Sequence, residues 1–149
     1  MSSREIKVIG FIGLGVMGCS MSKNLLKNKN WNVLVKDLNA NKEKELENQG
    51  AKIASDTREI FNLSDLVITC LPGGDFVRDL YFGKDKYISD IKNNQFIIDM
   101  STSQPDLMIK LENEIKIKGA HFADAPIART RQAAIDGTLA VSYTHLTLP

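Results

Sequence analysis

The sequence predicts a doubly wound α/β fold built on a parallel sheet. Three observations carry the prediction. Short apolar runs alternate with segments of helical period along the whole chain. The first run, KVIGFI, is almost continuously apolar, as a parallel strand covered on both faces must be. A glycine-rich turn joins that run to the first helix-like segment.

Each element has its own signal. Lys7–Ile12 is the first strand, and Met17–Lys27 the first helix, with Met17, Met21 and Leu25 stacked along one face. Trp31–Lys36 is the second strand. Ala40–Asn48 is a charged, exposed helix closed by Gly50. Lys52–Ala54 is a short third strand, and Leu66–Cys70 a fourth, ended by Pro72 and two glycines. Asp75–Phe82 reads as helical and Phe96–Met100 as the fifth strand. Leu107–Lys118 is a strong helix: Ser103 can cap it, Pro105 suits its first turn, and Leu107, Met108, Leu111 and Ile115 share a face. Gly119 ends it, and His121–Ala125 is a sixth strand.

Composition narrows the function classes. The chain has 149 residues, enough for one domain with a sizeable core. Nineteen basic and eighteen acidic side chains leave a net charge of +1, so nothing argues for a nucleic-acid partner. No run is long and apolar enough to span a bilayer, and the N-terminus does not read as a secretory signal. Cys19 and Cys70 match no metal or redox spacing and read as thiols in a reducing compartment. A cytoplasmic protein without a bound metal is expected.

In a doubly wound sheet, ligands bind beyond the carboxyl ends of the strands. The residues just past each strand are therefore the informative ones: Gly13–Gly18, Asp37, Leu71–Gly74, Ser101–Ser103 and Pro126–Thr130. Gly13-Leu14-Gly15-Val16-Met17-Gly18 is a GxGxxG between a strand and a helix. Gly13 permits the turn, Gly15 lets backbone approach a pyrophosphate, and Gly18 lets the helix pack closely. The free amides and dipole of the helix N-terminus then face the anion. This is the dinucleotide-binding Rossmann signature.

Asp37 ends the second strand, about 20 residues past the glycine turn, where a carboxylate accepts from both ribose hydroxyls of NAD and repels a 2′-phosphate. Lys36 is the nearby cation, and strand alternation turns it away. NAD is therefore expected over NADP. A turn or capping role for Asp37 before Asn39 is the alternative. A methyltransferase also places an acid after its second strand, but Gly18 and the helix entry favour a pyrophosphate ligand.

The blocks GFIGLGVMGCSMSKNLLK (Gly10–Lys27), VITCLPGGDFV (Val67–Val77), IDMSTSQP (Ile98–Pro105) and DAPIARTRQAAIDGTL (Asp124–Leu139) together resemble the β-hydroxyacid dehydrogenase family. That family includes 3-hydroxyisobutyrate and 6-phosphogluconate dehydrogenases. The resemblance implies hydride transfer between nicotinamide and a substrate carbonyl carbon. It implies that Leu71 and Pro72 border the cofactor ribose and that Thr102 lies near the nicotinamide ribose. Asn24 matches the family's helix asparagine, with a local hydrogen-bonding role equally open.

Family members often read DAPVSGG in the substrate block. Here Ala128, Arg129 and Thr130 replace the serine and glycines, which speaks against plain 3-hydroxyisobutyrate. Arg129 offers a forked guanidinium for an oxyanion, and the Arg-Thr pair looks like the sulfolactaldehyde reductase branch. A small hydroxy acid or aldehyde bearing a sulfonate or second carboxylate is the expected substrate. The family's acid/base lysine belongs to a following helical domain that also forms the oligomer, and no position here matches it. Lys110, Lys116 and Lys118 belong to a solvated helix face and do not replace it.

The tail Val141–Pro149 resembles the translated read-through of a transposon-type sequencing adapter. The expected organisation is thus a cofactor domain over 1–140, a foreign tail over 141–149, and a missing helical domain. The chain alone should bind cofactor weakly and turn over nothing. The rivals are a noncatalytic dinucleotide-binding module and an NADP-dependent member of the same family.

Overall fold

The computed structural model describes residues 4–128 and 130–139. Arg129 and the suspected foreign tail lie outside the described residues.

Among the described residues, six strands form one parallel sheet: β1 (Val8–Ile12), β2 (Asn32–Lys36), β3 (Lys52–Ile53), β4 (Leu66–Thr69), β5 (Phe96–Asp99) and β6 (His121–Asp124). The spatial order is β3-β2-β1-β4-β5-β6, with Gly10 of β1 level with Leu34 of β2 and Val67 of β4. The chain runs outward from β1 to one edge, returns, and runs outward from β4 to the other. The strand order reverses between β1 and β4, and that switch point opens a crevice at the carboxyl edge. The doubly wound Rossmann architecture expected from the sequence is the one observed.

Helices α1 (Val16–Leu25), α2 (Ala40–Glu47), α3 (Thr57–Leu63), α4 (Gly74–Phe82), α5 (Pro105–Ile117) and α6 (Arg131–Asp136) connect or follow the strands. Strand alternation divides the core in two. Ile9 and Phe11 of β1 face Met21, Leu46 and Ala134, on α1, α2 and α6. Val8 and Ile12 face the other layer, where Ile60, Phe61, Val77, Tyr81 and Leu111 come from α3, α4 and α5. Phe11 and Phe61 are completely buried, each worth roughly 1.5–3 kcal/mol.

Several local expectations need correction. Ser103 does not cap α5: Gln104 holds the N-cap position, without a side-chain cap bond. Pro105 opens the helix and holds the residue before it in extended backbone, so the cap falls one residue later. Helix α2 is not wholly exposed, because Glu43 and Leu46 are buried. Glu43 reaches back to β2, where Oε1 meets the Lys36 ammonium at 3.0 Å and accepts from the Asp37 amide at 3.0 Å. Two helices carry no sequence expectation, α3 and α6. Asp56 caps α3 by accepting from the Glu59 amide at 2.8 Å, and Glu59 accepts in return from the Ser55 amide.

Among the described residues, no helix is long and apolar enough to cross a membrane. No group of three or more His, Cys, Asp or Glu is placed to hold a metal ion among them.

Candidate functional site

The glycine turn sits at the carboxyl end of β1, on the switch point. Gly13 has φ +97, and a Cβ there would lie 2.2 Å from the Cys70 carbonyl oxygen, so glycine is required twice over. A Cβ on Gly18 would lie 2.0 Å from the Gly13 carbonyl oxygen, so only hydrogen lets α1 settle onto the turn. Gly15 differs: nothing lies within 4 Å of its Cβ position, and its backbone (φ −62, ψ −170) suits any residue. Among the described residues, neither strain nor packing demands a glycine there. The open space above it faces the cleft and fits an approaching ligand backbone.

Helix α1 begins at Val16 with no side-chain cap. Its first intrahelical bond runs from the Cys19 amide to the Gly15 carbonyl at 2.9 Å. The amides of Val16, Met17 and Gly18 precede it and have no helical acceptor. No acidic residue occupies this first turn, so no side chain of the helix itself offsets its positive end. Bare amides beside an open approach are what an anion needs.

Asp37 lies at the end of β2 beside this turn. Its Oδ2 accepts from the Leu14 amide at 2.6 Å, and its Oδ1 from the Asn39 amide at 2.7 Å. Each oxygen keeps a further lone-pair site for a ligand hydroxyl. The turn role left open by the sequence is thus real and coexists with space for a ligand. Leu14 contributes its amide to this arrangement while its side chain is fully buried in the core.

A cleft of ≈ 610 Å³ joins these groups. Gly13, Gly15, Val16, Met17, Gly18, Asp37, Leu71 and Pro72 all line it. Among the described lining residues, Lys36 is the single cation, and Glu43 engages it. Sequence reasoning missed the cleft's outer wall of Thr57, Phe76, Leu80 and Tyr87. These come from α3, α4 and the 3₁₀ turn Tyr87–Asp90, and no local motif marks them.

Thr102, Ala128 and Thr130 do not line the cleft. Thr102 is exposed just past β5, one strand beyond β4. Ala128 is exposed past β6, and the Thr130 hydroxyl caps α6 by accepting from the Ala133 amide at 3.4 Å. These residues nevertheless share the carboxyl edge with Asp37. From β2 to β6 there are four strand spacings, or roughly 19 Å. Cleft and outer loops thus form one continuous row along that edge.

A buried polar chain shapes the row's centre. Asp99, fully buried at the end of β5, accepts at Oδ1 from the Thr69 hydroxyl at 2.6 Å and the Ser101 hydroxyl at 2.8 Å. Ser101 in turn accepts from the Leu71 amide at 2.9 Å, fixing the start of the turn that leads into α4. Burial pushes the Asp99 carboxyl above the ordinary carboxylate value, against the opposing pull of Thr69 and Ser101, and Asp124 adds to the rise. Its Oδ2 has no hydrogen-bond partner among the described residues, so no donor there offsets the burial of a charge. The folded protein then holds a proton that the unfolded chain releases, so stability falls as pH rises from the ordinary carboxylate value through the raised one. Asp99→Asn is expected to flatten that decline. Urea melts of both proteins across the acid-to-neutral range check it; parallel pH dependences would contradict it.

Burial also raises Cys70, to about 11, with Asp99 contributing. A thiol held protonated at neutral pH is a poor nucleophile, so Cys70 serves as cleft wall.

A family model described as the NAD binding domain of 6-phosphogluconate dehydrogenase matches residues 8–144. The 3-sulfolactaldehyde reductase of Escherichia coli (strain K12) is 37% identical over 131 residues, 88% of this chain and 44% of that protein. The chain thus spans less than half the length of this curated relative. Among solved structures, Mycobacterium tuberculosis 3-hydroxyisobutyrate dehydrogenase with L-serine superposes at TM-score 0.84 and 27% identity, over 93% of this chain and 46% of that one. Psf3 in complex with NADP+ and 2-OPP superposes at TM-score 0.83 and 27% identity, over 89% of this chain and 47% of that one. The glycine turn, the switch-point cleft and a match over almost the whole described chain agree: this chain belongs to the family of the 6-phosphogluconate dehydrogenase NAD binding domain.

Proposed function

We propose that the chain is the cofactor-binding part of an NAD-dependent hydroxyacid dehydrogenase or short-chain aldehyde reductase acting on a small anionic substrate. One observation carries the reading: three helix-terminal amides without helical acceptors face an open approach at Gly15, with Asp37 alongside.

In this reading the amides of Val16, Met17 and Gly18 bind the pyrophosphate, and Asp37 orients the adenosine ribose through its remaining lone pairs. Leu71 and Pro72, held by Ser101, wall the central part of the cofactor, and Thr102 lies at its nicotinamide end. When bound, the nicotinamide supplies or accepts the hydride. Ala128, Arg129 and Thr130 form the substrate loop, with the Arg129 guanidinium holding a sulfonate or carboxylate. A lysine from a following helical domain holds and moves the proton at the substrate oxygen, and the same domain builds a homo-oligomer. Support for the anionic substrate comes from the Arg-Thr pair and from the similarity to 3-sulfolactaldehyde reductase.

The NADP-dependent reading is favoured by the likeness to Psf3, which carries NADP+ in its structure. Asp37, and the engagement of Lys36 by Glu43, favour NAD.

The test uses the full-length protein with sequence beyond residue 140. NADH oxidation with a sulfonate- or carboxylate-bearing aldehyde is expected to exceed that with an uncharged aldehyde by roughly 10- to 100-fold in kcat/KM, and Arg129→Ala should erase the difference. Equal rates on both substrates would remove the anionic class. The 149-residue chain alone is expected to bind NADH without turnover.

A further inference from the structure

We infer that Asn24 is a positioning residue that clasps α6 to the cofactor helix α1 and thereby sets the substrate loop against the cofactor cleft. The inference rests on the functional reading above for what the loop and cleft do. The clasp itself rests on geometry alone.

Asn24 lies in the last turn of α1. Its side-chain amide donates from Nδ2 to the Ala134 carbonyl at 2.7 Å and to the Ile135 carbonyl at 3.3 Å. Both carbonyls belong to the last turn of α6, a helix of only six residues. That helix ends at Gly137, in left-handed backbone, whose amide returns to the Ala133 carbonyl, as does the Thr138 amide at 2.9 Å. The Ala134 and Ile135 carbonyls therefore lie past the last turn-closing bonds. Asn24 supplies two donors to two adjacent orphan acceptors, a C-terminal cap delivered from another helix 110 residues away in sequence.

The orientation of the amide is fixed from its other side. Asn24 Oδ1 accepts from the Lys27 ammonium at 2.7 Å, so rotating the amide would set oxygen against carbonyl oxygens and nitrogen against a cation. Beneath the clasp, Ala134 is completely buried in the core layer shared with α1. A six-residue helix has little stability of its own, so α6 takes its position from α1. Its first residue, Arg131, directly follows Thr130, whose hydroxyl caps the helix. The loop is thus tied to one end of α6 and Asn24 to the other. The N-terminus of α1 lines the cofactor cleft, so one helix references both halves of the reaction.

Asn24→Asp is the sharp test. The introduced carboxylate keeps Lys27 as partner but turns an acceptor toward both carbonyls. Asn24→Gln retains the two donors on a longer stem. In the full-length protein, Asn24→Asp is expected to leave the NADH Kd within about threefold while lowering kcat/KM for the aldehyde by roughly 10- to 100-fold, as a small misplacement of a binding group does. Amide exchange over residues 130–139 should accelerate, and Asn24→Gln should recover part of both losses. Unchanged exchange in that segment would overturn the clasp. Faster exchange with unchanged kcat/KM, or a turnover loss matched by the loss of NADH affinity, would overturn the positioning role. A wild-type protein that binds no nicotinamide nucleotide would instead defeat the functional reading, and the exchange comparison would still judge the clasp.

Discussion

Replacing Gly15 with alanine is expected to cost cofactor affinity and leave the fold intact, whereas replacing Gly18 should damage both. The two glycines belong to one motif but answer to different neighbours. A Cβ on Gly15 meets nothing within 4 Å among the described residues, and its φ of −62 accommodates alanine. Gly15 is, however, the N-cap of α1, where alanine is poorer than glycine, so stability should fall by about 1 kcal/mol with the fold retained. The methyl group would also stand where a pyrophosphate must come close to the amides. Loss of one or two charge-assisted bonds amounts to roughly 2–4 kcal/mol, or about 30- to 700-fold in Kd. A Cβ on Gly18 would overlap the Gly13 carbonyl oxygen at 2.0 Å and press on Phe11. Either α1 moves off the turn or the turn opens, at about 3 kcal/mol or more of stability. Thermal melts and calorimetric titrations of both variants check this. If Gly15→Ala binds NADH as wild type does, the open space above Gly15 is not a ligand path.

The second large effect is expected at Asp37, as a change in cofactor preference. Two charges 4 Å apart interact by about 1 kcal/mol in water and about 4 kcal/mol near a protein surface. A 2′-phosphate brought against the Asp37 carboxylate meets repulsion of that order. Asp37→Asn keeps an oxygen for a backbone amide, removes the charge, and should move the NAD-to-NADP affinity ratio toward NADP by at least about tenfold. Asp37→Ala also releases the Leu14 and Asn39 amides from their acceptors, so it should destabilise the fold by about 1–3 kcal/mol as well. Comparing the two variants separates the ribose role from the turn role. Equal losses for both nucleotides in Asp37→Asn would leave Asp37 with the turn role alone.

What was legible in the sequence follows from how local each signal is. The strands show as apolar runs because parallel strands are covered on both faces, and the glycine turn shows because its sterics act within a few residues. Helix α3 has seven residues and only two buried apolar side chains, Ile60 and Phe61, too few to display a period. Its usable signal is the spacing of Asp56 and Glu59, whose carboxylates accept from the Glu59 and Ser55 amides. Helix α6 is shorter still and depends on Asn24, a partner no local window contains. The misplaced α5 cap shows a second kind of miss: Ser103 is the better capping residue by type, but Pro105 fixes where the helix starts. The site divides the same way. Gly13, Gly18 and Asp37 announced themselves by spacing, whereas Phe76, Leu80 and Tyr87 reach the cleft only through the packing of α3, α4 and the 3₁₀ turn around them.

The central claim is that the uncapped tip of α1 receives the dinucleotide's pyrophosphate. Backbone amide resonances of the isotope-labelled chain, followed while NADH is added, test it most directly. The largest, saturable shifts are expected at Gly15, Val16, Met17 and Gly18, with a matching response at Leu14 through Asp37 and little at α5. Binding that leaves those amides unmoved, or a folded chain whose spectrum responds to neither NADH nor NADPH, would contradict it.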